Sequence, residues 1–305
     1  SDALARQLGK DPSGIYIPYE KLVQRDLSPA GTGGNLVDTQ LKTGSFIDIL
    51  QSNMVLDKLG VTMLGGLVGD ISIPKQSGGA TAYWVADGSA VTESDQTLAQ
   101  VSGKPHTVGA FTDVTRNMRL QSSIDAERFV MTDLARTLGQ GIQTAVFAGT
   151  GVAGQPKGLL YADDLNTGTI TTPGSATWAN ILTFVGTVMA DNVSVEAGGA
   201  WVMRPLVWAS LAGIPKTTGE ANFLLDAERK TMAGFPYQVT TGIPAKHMFF
   251  GIWSNLVLGM WGGLDLTLDT STGSSAGTLR VVALQDVDVL CRHGQAFSYN
   301  TGVIA

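Results

Sequence analysis

The stretch from Ser123 to Ala148 constrains the fold more than any other part of this chain. Val130, Leu134, Leu138, Ile142, Ala145 and Val146 recur at spacings of three and four, the repeat of one helix face. Arg128, Arg136, Gln140 and Gln143 fall mostly off that stripe. Ser122 or Ser123 is placed to cap the helix, and Asp125 and Glu127 complement the positive end of its dipole. At 1.5 Å per residue the element is about 40 Å long. It runs directly into GTGVAGQPKGLL, from Gly149 to Leu160, where Gly149, Gly151 and Gly154 spell G-x-G-x-x-G. That motif cradles a pyrophosphate only when a strand precedes it and a helix opens on it. Here the order is reversed and Pro156 follows. Asp163 and Asp164 also come too early for the acidic ribose partner, which belongs about 20 residues on. The glycines therefore read as a helix exit, with Gly149 at the C′ position and Gly151 freeing the loop to turn. No cofactor is expected.

Two further regions shape the reading. Residues 1 to about 45 are punctuated by glycine and proline, yet carry Ile15, Tyr16, Ile17 and Tyr19, which call for a surface to lie on. After a brief helix and strand within Phe46 to Met63, residues 68–114 read as a long hairpin. Ile71-Ser72-Ile73-Pro74 goes out, Thr107-Val108-Gly109-Ala110-Phe111 comes back, and Gly78, Gly79, Gly88 and Thr92-Glu93-Ser94-Asp95-Gln96 lie between. Arms of about 20 residues would reach roughly 60 Å. A lone two-stranded ribbon is marginal in water, and Tyr83, Trp84 and Val85 are too sparse for a private core. The hairpin is therefore expected either to fold back on its own domain or, the preferred reading, to lie on a neighbouring copy.

Charge supports the same expectation. Charged residues make up only 15% of the 305, against about 25% in an average soluble protein, so much of the surface should be covered by partners. The net charge of −6 argues against DNA binding over the whole surface. No run of eighteen apolar residues offers a membrane span. The single Cys291 excludes an intrachain disulfide and, standing among valines, reads as a small buried hydrophobe.

The second half is mixed. Thr177 caps a helix with Trp178, Ile181, Leu182, Val185, Val188 and Met189 on one face. Trp201-Val202-Met203 is a short buried strand, and Pro205 opens a helix through Leu211. Strand-like Tyr237-Gln238-Val239 follows the turn-rich Gly234-Phe235-Pro236. Leu264, Leu266 and Leu268 alternate with Asp265, Thr267 and Asp269, as Val287, Val289 and Cys291 do with Asp286, Asp288 and Leu290, which predicts strands with one polar face. The carboxylates of these strands are expected to face solvent. His106, His247 and His293 stand apart without metal-ligand spacing, and neither a G-x-S-x-G elbow nor a Walker loop occurs. No catalytic or metal site is expected.

In this order and spacing, GGATAYWVADG in the hairpin, FAGTGVAGQPKGLL after the long helix, WVMRP, KTTGEANFLL and GFPYQVTTGIP resemble the HK97-like major capsid proteins of tailed bacteriophages. The resemblance covers nearly the whole chain. It implies an α+β fold with an N-terminal arm and lead-in (1–67) and an extended β-hairpin loop (68–114). A peripheral domain with the spine helix (115–157), an axial α/β domain with returning peripheral strands (158–284) and C-terminal strands (285–305) complete it. It also implies self-assembly into pentamers and hexamers of an icosahedral head enclosing double-stranded DNA. Scaffold, maturation protease, portal and decoration proteins are the implied partners, and the virion, assembled in the bacterial cytoplasm, the implied location. A start at Ser1 suits a protease-matured chain or one trimmed of its Met. The alternative on the same fold is a nanocompartment shell enclosing a cargo enzyme.

The contacts between subunits are expected from Lys75, Tyr83, Trp84, Val91, Glu93, Asp95 and Lys104 of the hairpin and from Ile15, Tyr16, Ile17 and Tyr19 of the arm. Gly149, Gly151 and Pro156 mark the spine-helix exit. The best-known family member crosslinks a loop lysine to an asparagine with help from a glutamate. By the shared Glu93-Ser94-Asp95 that lysine position falls near Val91, Thr270 to Thr278 holds no asparagine, and Lys75 and Lys104 lie in the arms. The shell implied is noncovalent.

Overall fold

The computed structural model describes residues 55–117, 126–168, 170, 174–217 and 222–303. The arm residues Ile15, Tyr16, Ile17 and Tyr19 and the Ser122–Ser123 cap lie outside them. In chain order the elements are α1 (Leu56–Leu59), β1 (Thr62–Leu67), β2 (Ile71–Gly78), β3 (Thr97–Gly103), β4 (His106–Val114) and α2 (Ala126–Ala148). Then come β5 (Asn166–Thr167), α3 (Trp178–Ala190), β6 (Gly199–Met203), α4 (Pro205–Ala212), β7 (Leu225–Asp226), β8 (Thr231–Met232) and β9 (Phe235–Val239). The last are β10 (Met248–Ile252), β11 (Leu256–Asp269), β12 (Leu279–Cys291) and β13 (Phe297–Asn300).

Three sheets result. A four-stranded sheet runs β1-β11-β12-β4, a seven-stranded sheet runs β5-β13-β10-β6-β9-β8-β7, and β2 with β3 forms a separate ribbon. The stripe of the long helix buries Val130, Leu134 and Leu138 against Val114, Val281 and Ala283 of the four-stranded sheet. Its last turns reach a second core, where Phe147 meets Trp253 edge-on at 5.7 Å and lies 6.0 Å from Phe249 of the seven-stranded sheet. One apolar cluster therefore joins helix, lead-in and both large sheets. The remaining core gathers Trp201, Phe250 and Met203 beneath α3 and α4. Every residue of β6 and of β10 is buried, as continuous apolar strands covered on both faces should be. The buried indoles keep their polar ends satisfied: Trp201 donates to Met232 O and Trp253 to Ala200 O, each at 2.9 Å.

Several expectations change. The hairpin closes at Gly103, which pairs with Ile71. Thr107 to Phe111, expected as its returning arm, instead pairs with β12 and belongs to the four-stranded sheet. A strand with alternating small and apolar residues satisfies either pairing, and only the longer sheet offers α2 as a cover. Thr177 does cap α3, in a reciprocal box with Asn180, but the buried face is Ile181, Phe184, Val185 and Val188. Leu182 and Met189 lie outside. Phe235 and Pro236, read as turn, begin β9. The expected boundary between 284 and 285 falls inside β12, whose ladder with β4 continues across it. Gln143, placed off the stripe, is fully buried: it accepts from Val55 N at 2.9 Å and donates to Thr240 Oγ1 at 2.9 Å.

Candidate assembly surface

The hairpin has two unlike halves. Near its base a regular ladder pairs Ile73 with Val101 and Lys75 with Ala99 as far as Gly78–Thr97, with an irregularity at Gln76/Gly78. Ser72 Oγ donates to Gln100 Oε1 at 3.0 Å across it. Beyond, residues 79–96 form no strand; Thr81 N donates to Ser94 Oγ at 3.0 Å and Ser89 N to Ala86 O at 3.0 Å. Tyr83, Val85, Val91, Glu93 and Asp95 are exposed, and Trp84 is as exposed as an isolated residue at 105%. The structure thus brings Tyr83, Trp84, Val91, Glu93 and Asp95 together at the tip. Lys75 sits on β2, and Lys104 at the base turn, where its exposed ion pair with Asp70 at 4.0 Å adds little.

The base is anchored by residues that sequence reasoning placed differently. Asp288, expected on a solvated face, is buried. Its Oδ2 accepts from Lys104 N and its Oδ1 from Val289 N, both at 2.8 Å, and His106 Nδ1 lies 3.5 Å from Oδ1. A carboxylate removed from water is tolerated because backbone donors replace its hydration. The signal was Leu290: a large apolar residue two positions on shows that this side of β12 turns inward. On the outgoing arm, Trp261 Nε1 donates to Gly69 O at 2.6 Å. Cys291, partly buried against the central core, has its thiol pushed up to about 11 by burial, so it stays protonated at neutral pH. His293 is held below its ordinary value, first by burial and then by Lys75 and Arg292.

The glycine exit is a tight clasp. Gly149 N makes the last helical bond to Ala145 O at 2.8 Å, and Gly158 N returns to Gly149 O at 2.9 Å. A side chain at Gly149 would overlap Ala145 O and Pro156 O, so close backbone approach, rather than the left-handed conformation expected of a C′ residue, is what requires glycine. Gly151 does take that conformation, at φ +72°, and donates to Pro156 O at 3.2 Å. The loop's amides serve its own carbonyls. Among the described residues no group of three His, Cys, Asp or Glu is placed to hold a metal, and no helix is long and apolar enough to cross a membrane.

A long helix across a four-stranded sheet, a mixed seven-stranded domain and a projecting ribbon define the shell-subunit fold of tailed-phage heads. Residues 33–301 match the model of the phage capsid family, and the chain belongs to that family. It is 29% identical over 307 residues to a major capsid protein of Halomonas phage phiHAP-1, covering 98% of this chain and 50% of that protein. It is 22% identical over 304 residues to a major capsid protein of Klebsiella oxytoca phage phiKO2, covering 90% and 69%. The chain thus spans half the length of the first relative and 69% of the second. In fold it is similar to the capsid of a native GTA particle (TM-score 0.76, 18% identity, 91% of this chain and 99% of that one). It is likewise similar to a chain of Microbacterium phage Oxtober96 (TM-score 0.70, 16% identity, 92% and 100%). The α+β, HK97-like expectation holds.

Proposed function

We propose that this chain is a structural subunit that assembles with copies of itself into pentamers and hexamers of an icosahedral phage head enclosing double-stranded DNA. The observation that carries this reading is the hairpin, firmly anchored at Asp288 and Trp261 yet without any core of its own beyond Gly78. Such a ribbon is ordered by lying on something else. In this reading the four-stranded sheet with α2 is the peripheral domain, the seven-stranded sheet the axial domain, and the ribbon the extended loop. The role is architectural, without a chemical step. Scaffold, maturation protease, portal and decoration proteins are its partners in the host cytoplasm, and the virion is its final location. With a net charge of −6, containment of DNA is loose and independent of sequence. Likeness to phage and GTA capsids favours this over a cargo-enclosing nanocompartment.

Cryo-electron microscopy of the purified protein tests the reading. Closed shells are expected, holding nucleic acid when made in infected cells; a protein that stays monomeric at every concentration overturns it. Removing residues 78–100 should leave a soluble subunit that forms no closed particles. Denaturing electrophoresis of intact particles should give a single subunit band, and a ladder of covalent multimers would overturn the noncovalent shell.

A further inference from the structure

One row of the hairpin turns a charge toward the body of the subunit. In β2 the half-buried positions alternate: Ile71, Ile73 and Lys75 face inward, while Ser72, Pro74 and Gln76 are exposed. The row starts against the end of β12, since a side chain at Gly103 would touch both Ile71 and Leu290. Where a third apolar residue would complete it, the row delivers Lys75 into a crevice between the outgoing arm and the end of β12. Arg292 and His293 line the other wall. Arg292 is fixed there by its backbone, whose N–H donates to Asn255 O at 2.9 Å. The crevice encloses about 560 Å³, within the range of small-ligand sites.

Nothing acidic answers these cations. No carboxylate lines the crevice, and among the described residues neither Lys75 nor Arg292 makes an ion pair. Of the carboxylates in the adjoining cleft, Asp163 binds Lys157 at 2.7 Å and Asp288 takes the amides of Lys104 and Val289. Asp164 shares that cleft and forms no ion pair with Lys75. The excess of positive charge is felt at His293, whose imidazole is held below its ordinary value first by burial and then by Lys75 and Arg292. A half-buried cation gives up hydration and regains it only from a counter-charge. A guanidinium beside an ammonium suits an anion with several oxygens, because the fork takes two of them and the ammonium a third.

We infer that this crevice is an anion site in which inorganic phosphate is held by Lys75 on one wall and by Arg292 and His293 on the other, tying the outgoing arm of the hairpin to the body. A nucleic-acid backbone offers the same groups, but a polyanion is repelled by a subunit of net charge −6, whereas a small ion meets mainly the local field of the crevice. Every group involved belongs to one copy, so the inference stands apart from the shell reading.

Isothermal titration of the purified chain with inorganic phosphate tests it. Two or three charge-assisted bonds place the dissociation constant on the order of 1 mM. Lys75→Ala and Arg292→Gln should each weaken binding by about tenfold or more, while Lys58→Ala, at an exposed position of α1, should leave it unchanged. Lys75→Arg should restore most of it. Hydrogen exchange gives a second readout: phosphate should slow the amides of β2 and β3 in the wild type and leave them as they were in Lys75→Ala. Should Lys75→Ala fail to fold, Arg292→Gln carries both measurements. Absence of saturable binding up to about 50 mM, or equal binding by both variants and the wild type, overturns the site. A short DNA duplex should not compete; competition that depends on Lys75 and Arg292 overturns free phosphate as the ligand. None of these outcomes touches the shell reading, which particle formation decides.

Discussion

The seven-stranded sheet and the hairpin are both made of extended chain, and they differ in where their order comes from. In β6 and β10 every residue is buried, and the rings of Trp201 and Phe250 meet at 4.5 Å. Between Gly79 and Glu93 every residue of the hairpin is exposed. The sheet is stabilised by its own apolar burial, at about 1.5–3 kcal/mol for each large side chain. The hairpin has only hydrogen bonds that water could replace, each worth about 1 kcal/mol net. One region is complete within the chain; the other, in the proposed shell, is half of a contact. Substitutions in the first should therefore unfold the subunit, and substitutions in the second should spare it.

The sharpest form of that contrast pairs two tryptophans. Trp201→Ala should cost the subunit about 3–5 kcal/mol by denaturant titration, whereas Trp84→Ala should leave its midpoint unchanged. Equal destabilisation would break the distinction. Gly149→Ala pushes a side chain into Ala145 O and Pro156 O, with an expected loss of about 1–3 kcal/mol by the same titration. Asp288→Ala strands the amides of Lys104 and Val289, costing about 1–3 kcal/mol. Hydrogen exchange should then quicken at the hairpin base and stay slow in β6 and β10.

The smallest effect is electrostatic. Arg280 donates twice to Asp113, at 2.7 and 2.9 Å, and that bonding holds the Asp113 carboxyl below its ordinary value. The hydroxyls of Thr272 and Ser271, then their amides, hold Asp269 far lower still. For a carboxylate depressed in the folded state, the contribution is whole above the unfolded value near 3.9 and is lost as pH falls through the folded one. Melting temperatures of the wild type and Asp113→Asn should therefore differ slightly at pH 6 and converge as pH drops below about 4. A difference that grows on acidification would contradict this assignment.

How legible all this was depended on whether the deciding contact was local. The α2 stripe, the Thr177 cap, Pro205 at the start of α4 and buried Trp201-Val202-Met203 follow from neighbours within a few positions, and the structure keeps each. Thr107 to Phe111 was misassigned because its partner stands over 170 residues away in β12, beyond any periodicity. Gln143 and Asp288 were misread for a related reason. Their burial depends on donors and acceptors at Val55, Thr240 and Lys104 that converge only in the fold. Phe147, one turn beyond Gln143, was the available hint that this side faces inward. For the surface itself, the exposed tip was legible from its sparse apolar residues. The exposure of Leu264, Leu266 and Leu268 was not, because alternation says which face is apolar and not whether a helix reaches far enough to cover it.

The pairing of β11 with β12 has a mechanical meaning. Their antiparallel register runs from Leu256–Cys291 to Asp269–Arg280 with a shift between Trp261 and Asp265, so two ladders in line link the core under the seven-stranded sheet to the far end of the other sheet. A pull along that axis strains the hydrogen bonds of each ladder together, in shear, whereas a pull across it would open them one after another. In a wall where that axis lies in the plane, such subunits would resist in-plane stretching along it more than peeling across it.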